Sequence, residues 1–469
     1  MAYEHLLSPI KIGTLTLRNR VVMGAMGSAT ANPDATVGEC ERAYFSERAK
    51  GGCGLIITEV TRVNHETAVM MPRQTSAAKD ECIDGLRRLA DDVHYYGGAI
   101  FCQLHHPGRQ SFTEINGNIP LPTPSGIESP VTHAPCQAMS IIGIRRLIRE
   151  FAEAAARCQE AGIDGVEVHC AHGYLLNQFL SPYTNRRTDD YGGSVLRRAR
   201  IVKEIIEAIR AKVGRDYPVT MRISADEFLR ESPFPLIGDN LMPETANGLL
   251  PEQAVEIVKY LVPFGLDAVS VSAGIYETEN VSWEPVSYPE GWKIYLAELI
   301  KKVVDVPVFG VGVIRNPDFA EKLISEGRVD CVVIARGQLA DPDWVKKASE
   351  GREREIRRCI SCLNCFETLQ TSAMTGEPVS CAVNARSGRE WFYNGLVRDG
   401  EERRVVIVGG GPAGCEAARV LAERGFAVTL FEKGARLGGQ LNMADKPPHK
   451  EKIDWLIEWF EYQLEKLGV

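Results

Sequence analysis

Short apolar runs recur along about the first 340 residues, and between them apolar positions return every three or four residues. The runs have the pattern of buried strands, and the stretches between them that of amphipathic helices. Strands are expected at 20–26 (RVVMGAM), 54–60 (GLIITEV), 99–104 (AIFCQL) and 165–169 (GVEVH). Four more are expected at 219–224 (VTMRIS), 268–272 (AVSVS), 308–311 (VFGV) and 331–335 (CVVIA). Helical patterns such as CIDGLRRLADDVHYYG, LIREFAEAAARCQEAG, RRARIVKEIIEAIRAKVG and PEQAVEIVKYLVPFG fill the intervals. They end in Gly97, Gly162, Gly214 and Gly265, as helix C-termini commonly do. Eight strands alternating with helices imply an α/β fold, a closed (β/α)8 TIM barrel with its site at the C-terminal strand ends. An open doubly wound sheet is the alternative, but the regular spacing favours closure.

Two connections exceed what a barrel needs. One covers about 110–140 and the other 227–250, and both are expected to shape a pocket. Polar residues close the strands: Gln103 on the third, His169 on the fourth, Arg222 on the fifth, Arg336 after the eighth. The seventh strand runs into GVGVIRN and the eighth into ARGQLADPDW, loops that form phosphate sites in such barrels. Gly312 would admit backbone N–H groups to a phosphate, and Arg336 offers a bidentate partner. A structural ion pair is the other reading of a buried arginine.

Composition changes this picture little. The 469 residues are 44% hydrophobic and 25% charged, as in ordinary globular proteins, and long enough for a large domain plus a smaller one. A formal charge of −8 without a basic block argues against nucleic acid or an anionic membrane as partner. The opening MAYEHLLSPIKIG lacks a basic stretch followed by an apolar core, and no run reaches membrane-spanning length. The expected location is cytoplasmic. Thirteen cysteines without a signal do not read as a disulfide framework; Cys53, Cys102 and Cys331 lie in apolar segments as packing thiols.

The most informative stretch is VEVHCAHGYLLNQFLSPYTNRRTDDYGGS, 166–194. His169, His172 and Tyr174 stand within six residues where a strand gives way to a loop. Two imidazoles can donate to one oxygen, and a phenol one step further can deliver a proton. This stretch and the opening LLSPIKIGTLTLRNRVVMGAM resemble the old yellow enzyme family of FMN-dependent ene-reductases over roughly the first 350 residues. The resemblance implies FMN at the barrel mouth. It places Ala25, Met26 and Gly27 along the flavin, Gln103 and Arg222 at its pyrimidine edge, and Gly312, Ala335, Arg336 and Gly337 around its phosphate. His169 and His172 would hold a substrate carbonyl and stabilise the enolate, and Tyr174 would protonate the α-carbon.

Relatives within that family discriminate. Trimethylamine dehydrogenases carry flavin on a cysteine where this chain has Gly27, and a tyrosine in place of His169. Dienoyl-CoA reductases have a glutamate in place of His172 and a histidine in the loop after strand six. Here that loop reads AGIYETENVSWEP, so their proton relay is not expected. An enone-type monoene is the expected substrate.

After the barrel, Cys359, Cys362, Cys365 and Cys381 fall within 23 residues. Three close cysteines and one distant one form the iron–sulfur arrangement, whereas zinc usually takes two separated Cys-x-x-Cys knuckles. The larger reductases that the chain resembles hold a 4Fe–4S cluster here, usually with three residues between the second and third ligands. Only Leu363 and Asn364 stand there in this chain. Zinc or free thiols are the alternatives.

Further on, RVVIVGGGPAGCEAARVLAERGFAVTLFEK is a strand, a glycine loop, a helix and a second strand. Gly409, Gly411 and Gly414 make G-x-G-x-x-G, and Glu432 ends the second strand, ready for a ribose hydroxyl. The continuation ARLGGQLN resembles FAD-binding reductase domains, which favours FAD over NAD and adds Ala413 and Gln440 to the expected dinucleotide site.

The expected organisation is an FMN barrel over 1–355, an iron–sulfur segment and linker over 356–400, and over 401–469 the start of a Rossmann-like domain. About 65 residues cannot complete such a domain, so a fragment of a longer enzyme is expected, and the apolar face of IDWLIEWFEYQLEKLG lacks evident cover. The resemblance implies an NAD(P)H-dependent ene-reductase in which electrons pass from FAD through the cluster to FMN. A dehydrogenase or demethylase that exports electrons, and an electron carrier without substrate, are the rivals. Expected partners are a small enone-type substrate (steroid, bile-acid derivative or enoate), with no nucleic acid and no membrane; a homo-oligomer is left open.

Overall fold

The computed structural model describes residues 3–231, 247–393 and 395–469. A hairpin, β1 (Ile10–Ile12) and β2 (Leu15–Leu17), leads into the first barrel strand, β3 (Val21–Met23). The next two barrel strands are β4 (Leu55–Arg62) and β5 (Ala99–His105). A small parallel pair, β6 (Leu121–Thr123) and β7 (Cys136–Ala138), sits within the first long connection. The barrel continues through β8 (Gly165–Cys170), β9 (Val219–Ser224), β10 (Ala268–Ser272), β11 (Val308–Val311) and β12 (Cys331–Val333). All neighbours are parallel, and β12 pairs with β3 to close the ring. This is the expected TIM barrel.

Alternation divides each strand between two cores. Val22, Leu55, Ile57, Phe101, Phe309 and Val333 point inward, with Ile12 and Leu17 of the hairpin packed against them. Facing outward, Val21, Ile56, Ile100, Val166 and Met221 meet the helices. Each fully buried Val, Leu, Ile or Phe contributes roughly 1.5–3 kcal/mol, so inner and outer faces both hold the ring. The helix Ile141–Glu160 starts six residues before the expected pattern, because the Ser140 hydroxyl accepts the Gly143 N–H at 3.1 Å and caps it.

Two strand ends differ from expectation. The first strand stops at Met23, so Ala25 to Gly27 run as a loop over the barrel mouth; a Cβ on Gly24 would stand 2.5 Å from the Val333 side chain. The eighth stops at Val333, and Arg336–Ala340 forms a short helix. Of the second long connection, 232–246 lie outside the described residues.

Beyond the barrel come the helix Asn364–Thr375, then β13 (Arg404–Val408), the helix Pro412–Glu423, β14 (Ala427–Phe431) and the helix Lys452–Lys466. β13 and β14 pair in parallel. The expected bare face of the last helix is in fact covered. Leu456, Trp459, Phe460 and Leu464 are buried with Ala340, Val383, Cys415 and Ala418, and the Trp459 indole donates to the Glu355 carbonyl at 2.9 Å. On the two-stranded sheet, by contrast, Val406, Val408 and Phe431 are exposed. Among the described residues no helix is long and apolar enough to cross a membrane.

Candidate active site

A cavity of about 410 Å³ opens at the C-terminal ends of the barrel strands, a volume suited to a small ligand. Ala25, Met26, Gly27, Gln103, His169, His172, Tyr174, Arg222, Ala335, Arg336 and Gly337 all line it. Gly312 does not. Its carbonyl accepts the Gly291 N–H at 2.7 Å, and a Cβ there would make only ordinary contacts, so close approach is not what requires glycine. The lining from that loop comes from Val311, Val313, Ile314 and Arg315. Val313 has φ +55, a left-handed conformation unfavourable to a β-branched residue, of the kind that clusters at functional sites.

The three rings of the HCAHGY stretch meet. His169 lies 5.2 Å from His172 and 5.0 Å from Tyr174, between ring centres. His169 Nδ1 accepts the Ala171 N–H at 3.4 Å, which leaves the proton on Nε2. His172, at φ +61, places Nε2 2.8 Å from the Ser272 hydroxyl, and its backbone N–H donates to Ser224. Burial, reinforced for His169 by His172 and for His172 by the Arg222 charge, holds both imidazoles well below their ordinary pKa. Both are therefore neutral at pH 7, each with one N–H to donate. The Tyr174 hydroxyl stands 3.2 Å from that of Tyr276. His105 backs the group, edge-on to Tyr174 at 4.4 Å, with neither ring nitrogen hydrogen-bonded.

At the base of the cavity the Gln103 amide donates to Glu167 at 2.7 Å, and Arg222 Nη1 donates to the Ala25 carbonyl at 3.3 Å. Arg222 Nε is buried without a partner. A buried guanidinium with an orphaned N–H beside an amide fits the electron-rich edge of a reduced flavin. The far end is already paired. Arg336 contacts the Glu284 carbonyl and carboxylate, both at 2.7 Å, and Lys293 contacts the same carboxylate at 2.7 Å. The ion-pair reading of Arg336 is thus realised, although two buried cations on one carboxylate leave an excess positive charge for a phosphate.

The four cysteines of the segment after the barrel line one small cavity with Arg336 and Leu339. Ser361 (φ +52) and Leu363 (φ +63) take left-handed backbone between the cysteines, and the Ser361 N–H donates to Cys359 Sγ at 3.4 Å. Burial pushes Cys365 up to about 11 and Cys381 up to about 12. Thiolates there need a positive centre to compensate them. Among the described residues no three His, Cys, Asp or Glu side chains converge on a single metal ion. Four thiols around a shared space suit a multi-iron cluster, whose ligands sit on different irons, better than one zinc.

In the C-terminal unit a Cβ on Gly414 would stand 1.9 Å from the Gly409 carbonyl, so only glycine lets the helix start this close to the strand. Gly409 itself has φ +104. The Glu432 carboxylate accepts the Gly410 and Gly434 N–H groups, each at 2.7 Å. A Cβ on Gly439 would come within 3.1 Å of Gly411 Cα, which sets Gln440 beside the glycine turn; Ala413 is exposed on the first turn of the helix.

The sequence profile described as NADH:flavin oxidoreductase / NADH oxidase family matches residues 5–355. This chain belongs to that family. A second profile, of an NAD(P)-binding Rossmann-like domain, matches 407–464. The chain is 43% identical over 473 residues to a NADH oxidase of Thermoanaerobacter brockii, covering 100% of this chain and 69% of that one. It is 37% identical to a cinnamate reductase of Clostridium sporogenes (100% and 70% covered). To an N,N-dimethylglycine/sarcosine dehydrogenase of Chromohalobacter salexigens it is 36% identical (100% and 66% covered). A solved 2-naphthoyl-CoA reductase in complex with 2-naphthoyl-CoA superposes with a TM-score of 0.92 at 30% identity, over 100% of this chain and 70% of that one. The chain thus spans about two thirds of the length of these relatives.

For an NADH:flavin oxidoreductase the sequence left several cavity residues unread. Tyr276, Trp283 and Glu284 come from the loop after β10, where the sequence offers no histidine but these aromatic and acidic residues. Phe366 comes from the helix Asn364–Thr375 and packs on Trp283 with ring centres 4.6 Å apart. Gln110, just past β5, lines the cavity with its Nε2 buried and unpartnered. The signal for Tyr276, Trp283 and Phe366 was an aromatic residue in a polar loop next to a catalytic strand end or a cysteine.

Proposed function

We propose that the chain carries the substrate-reducing site of an NAD(P)H-dependent flavin and iron–sulfur ene-reductase that saturates the C=C bond of an α,β-unsaturated carbonyl compound. One observation carries this reading: two neutral imidazoles and a phenol share one wall of a cavity whose base holds Arg222 and Gln103. FMN bound there would supply the hydride, with FAD and a 4Fe–4S cluster passing electrons to it from NAD(P)H. The side chains do the rest. Nε2–H of His169 and the free N–H of His172 donate to the substrate carbonyl and stabilise the enolate charge. Tyr174 gives its proton to the α-carbon. Arg222 and Gln103, with the backbone of Ala25, Met26 and Gly27, would hold the flavin; Arg336, Ala335, Gly337 and the loop that begins at Gly312 would hold its phosphate. Cys359, Cys362, Cys365 and Cys381 would hold the cluster. Gly409, Gly411, Ala413, Gly414, Glu432 and Gln440 would hold the dinucleotide.

Similarity to the dimethylglycine/sarcosine dehydrogenase favours amine oxidation as the second reading. The test separates them by direction. Chemically reduced, FMN-loaded protein is mixed anaerobically with cinnamate, 2-cyclohexenone and a steroid enone, and oxidised protein with dimethylglycine. Reoxidation of flavin with a saturated product is expected in the first set. Bleaching by dimethylglycine while no enone reoxidises the flavin would reject the reductase.

A further inference from the structure

The loop after β10 brings a second phenol to the first. Tyr276 lines the same cavity as Tyr174, with hydroxyls 3.2 Å apart and rings edge to face at 5.7 Å. One hydroxyl must donate to the other. If Tyr174 is to keep its own proton for substrate, Tyr276 is the donor. The other groups around Tyr174 are poor sources of a replacement proton. His105, His169 and His172 are buried and neutral, no hydrogen bond joins them to the Tyr174 oxygen, and Arg222 does not release its proton.

Position 276 is fixed from both sides. The neighbouring Glu277 is ion-paired with Arg109 in a fully buried contact. Thr278 accepts the Ile275 N–H at 3.0 Å and donates to the Glu227 carbonyl at 2.7 Å. Glu279, part-exposed, lines the same cavity. Burial raises Tyr174 above the ordinary phenol range, and the hydrogen bond from Tyr276 works against that rise.

We propose that Tyr276 is the proton-supplying partner that positions and recharges Tyr174. The inference rests on the reading of Tyr174 as the acid in ene reduction. As the Tyr174 O–H bond breaks, the substrate α-C–H bond forms and the electron pair stays on the Tyr174 oxygen. The Tyr276 O–H stabilises that phenolate, then breaks as the Tyr174 O–H re-forms. Tyr276 regains its proton from solvent through the cavity whose lining it shares with Glu279. With the hydride that reduced flavin would supply, the net input is one solvent proton for each C=C bond reduced.

The test compares wild type with Tyr174→Phe, Tyr276→Phe and Glu279→Gln as FMN-loaded proteins, reduced chemically and mixed anaerobically with cinnamate and 2-cyclohexenone. Flavin reoxidation is followed against pH in ordinary and deuterated buffer. A tyrosinate absorbance titration of the oxidised proteins gives a readout independent of turnover. Removing a general acid costs about 10²–10⁴-fold, which is the loss expected of Tyr174→Phe. Tyr276→Phe keeps the ring and is expected to slow reoxidation roughly tenfold or more, with a larger solvent isotope effect. It should also move the tyrosinate step assigned by its absence in Tyr174→Phe to higher pH. Glu279→Gln should slow reoxidation less than Tyr276→Phe and leave that step near its wild-type position. If Tyr174→Phe is slow while Tyr276→Phe matches wild type in rate and titration, the relay is wrong and the ene-reductase reading stands. If Tyr174→Phe itself reoxidises at the wild-type rate, the acid role falls and the relay with it.

Discussion

Arg336 directs two of its nitrogens to Glu284, one to the carbonyl and one to the carboxylate, both at 2.7 Å. With Lys293 on the same carboxylate, the arrangement is a buried triad of two cations and one anion. Burial alone would raise the Glu284 pKa, but Lys293 and then Arg336 outweigh it and hold the group below the usual carboxylate range.

Removing the Glu284 charge should therefore leave two cations facing each other. Glu284→Gln is expected to destabilise the FMN-free protein by about 3 kcal/mol, the scale for breaking a buried pair. A bound phosphate would restore an anion there, so the loss should shrink in the FMN-loaded protein. Denaturant melts of both forms check this. Equal losses with and without FMN would remove Arg336 from the phosphate site.

His169→Ala combined with His172→Ala should abolish binding of a phenol such as 4-hydroxybenzaldehyde to the oxidised flavin protein. Both rings line the cavity, and a charge-assisted bond from each would be worth roughly 1.5–3 kcal/mol. Charge-transfer absorbance that survives in the double variant would count against the carbonyl clamp.

Glu227 ties the loop after β9 to the 175–181 region, accepting from Asn177, Ser181 and the Leu249 N–H. Burial pushes its pKa up to about 7 against these bonds. A carboxyl raised in the fold from about 4.3 in the unfolded chain stabilises fully below pH ~4.3, and that contribution is lost as pH rises through about 7. The linked loss is on the order of 4 kcal/mol at most. Glu227→Gln should thus be the less stable protein at pH 5 and close the gap by pH 8. Parallel stability curves for the two across that window would refute the assignment.

Gly414→Ala should disrupt the dinucleotide unit and spare the barrel. The added methyl meets the Gly409 carbonyl at 1.9 Å, which forces the helix start away from the strand. Amide exchange should quicken across 404–433 while the barrel strands keep their protection. Uniform protection in the variant would mean that the turn tolerates a side chain.

The barrel was legible because its strands are buried on both faces and read as unbroken apolar runs. Strand ends were harder. Met23 and Val333 end strands that are neighbours only in the closed ring, where Gly24 leaves no room for a Cβ against Val333, and no local pattern encodes that meeting. His169, His172 and Tyr174 could be read because they lie close together in sequence. Tyr276 could not, since it reaches Tyr174 only through a loop shaped by Arg109, Glu277 and Thr278. The cover of the Lys452–Lys466 helix was missed for the same reason: Trp459 finds its partner at Glu355, across a fold boundary.

Cys365 and Phe366 are neighbours on the first turn of one helix, yet they line different cavities, the thiol the cysteine cavity and the ring the barrel cavity. Cys359 and Arg336 line both. A body held between two chambers cannot shift in one without reshaping the other. Any change that loading the cysteine chamber makes in affinity at the barrel chamber is returned by the same factor. Ligand tightness at the barrel mouth becomes a gauge of the state of the thiols behind it.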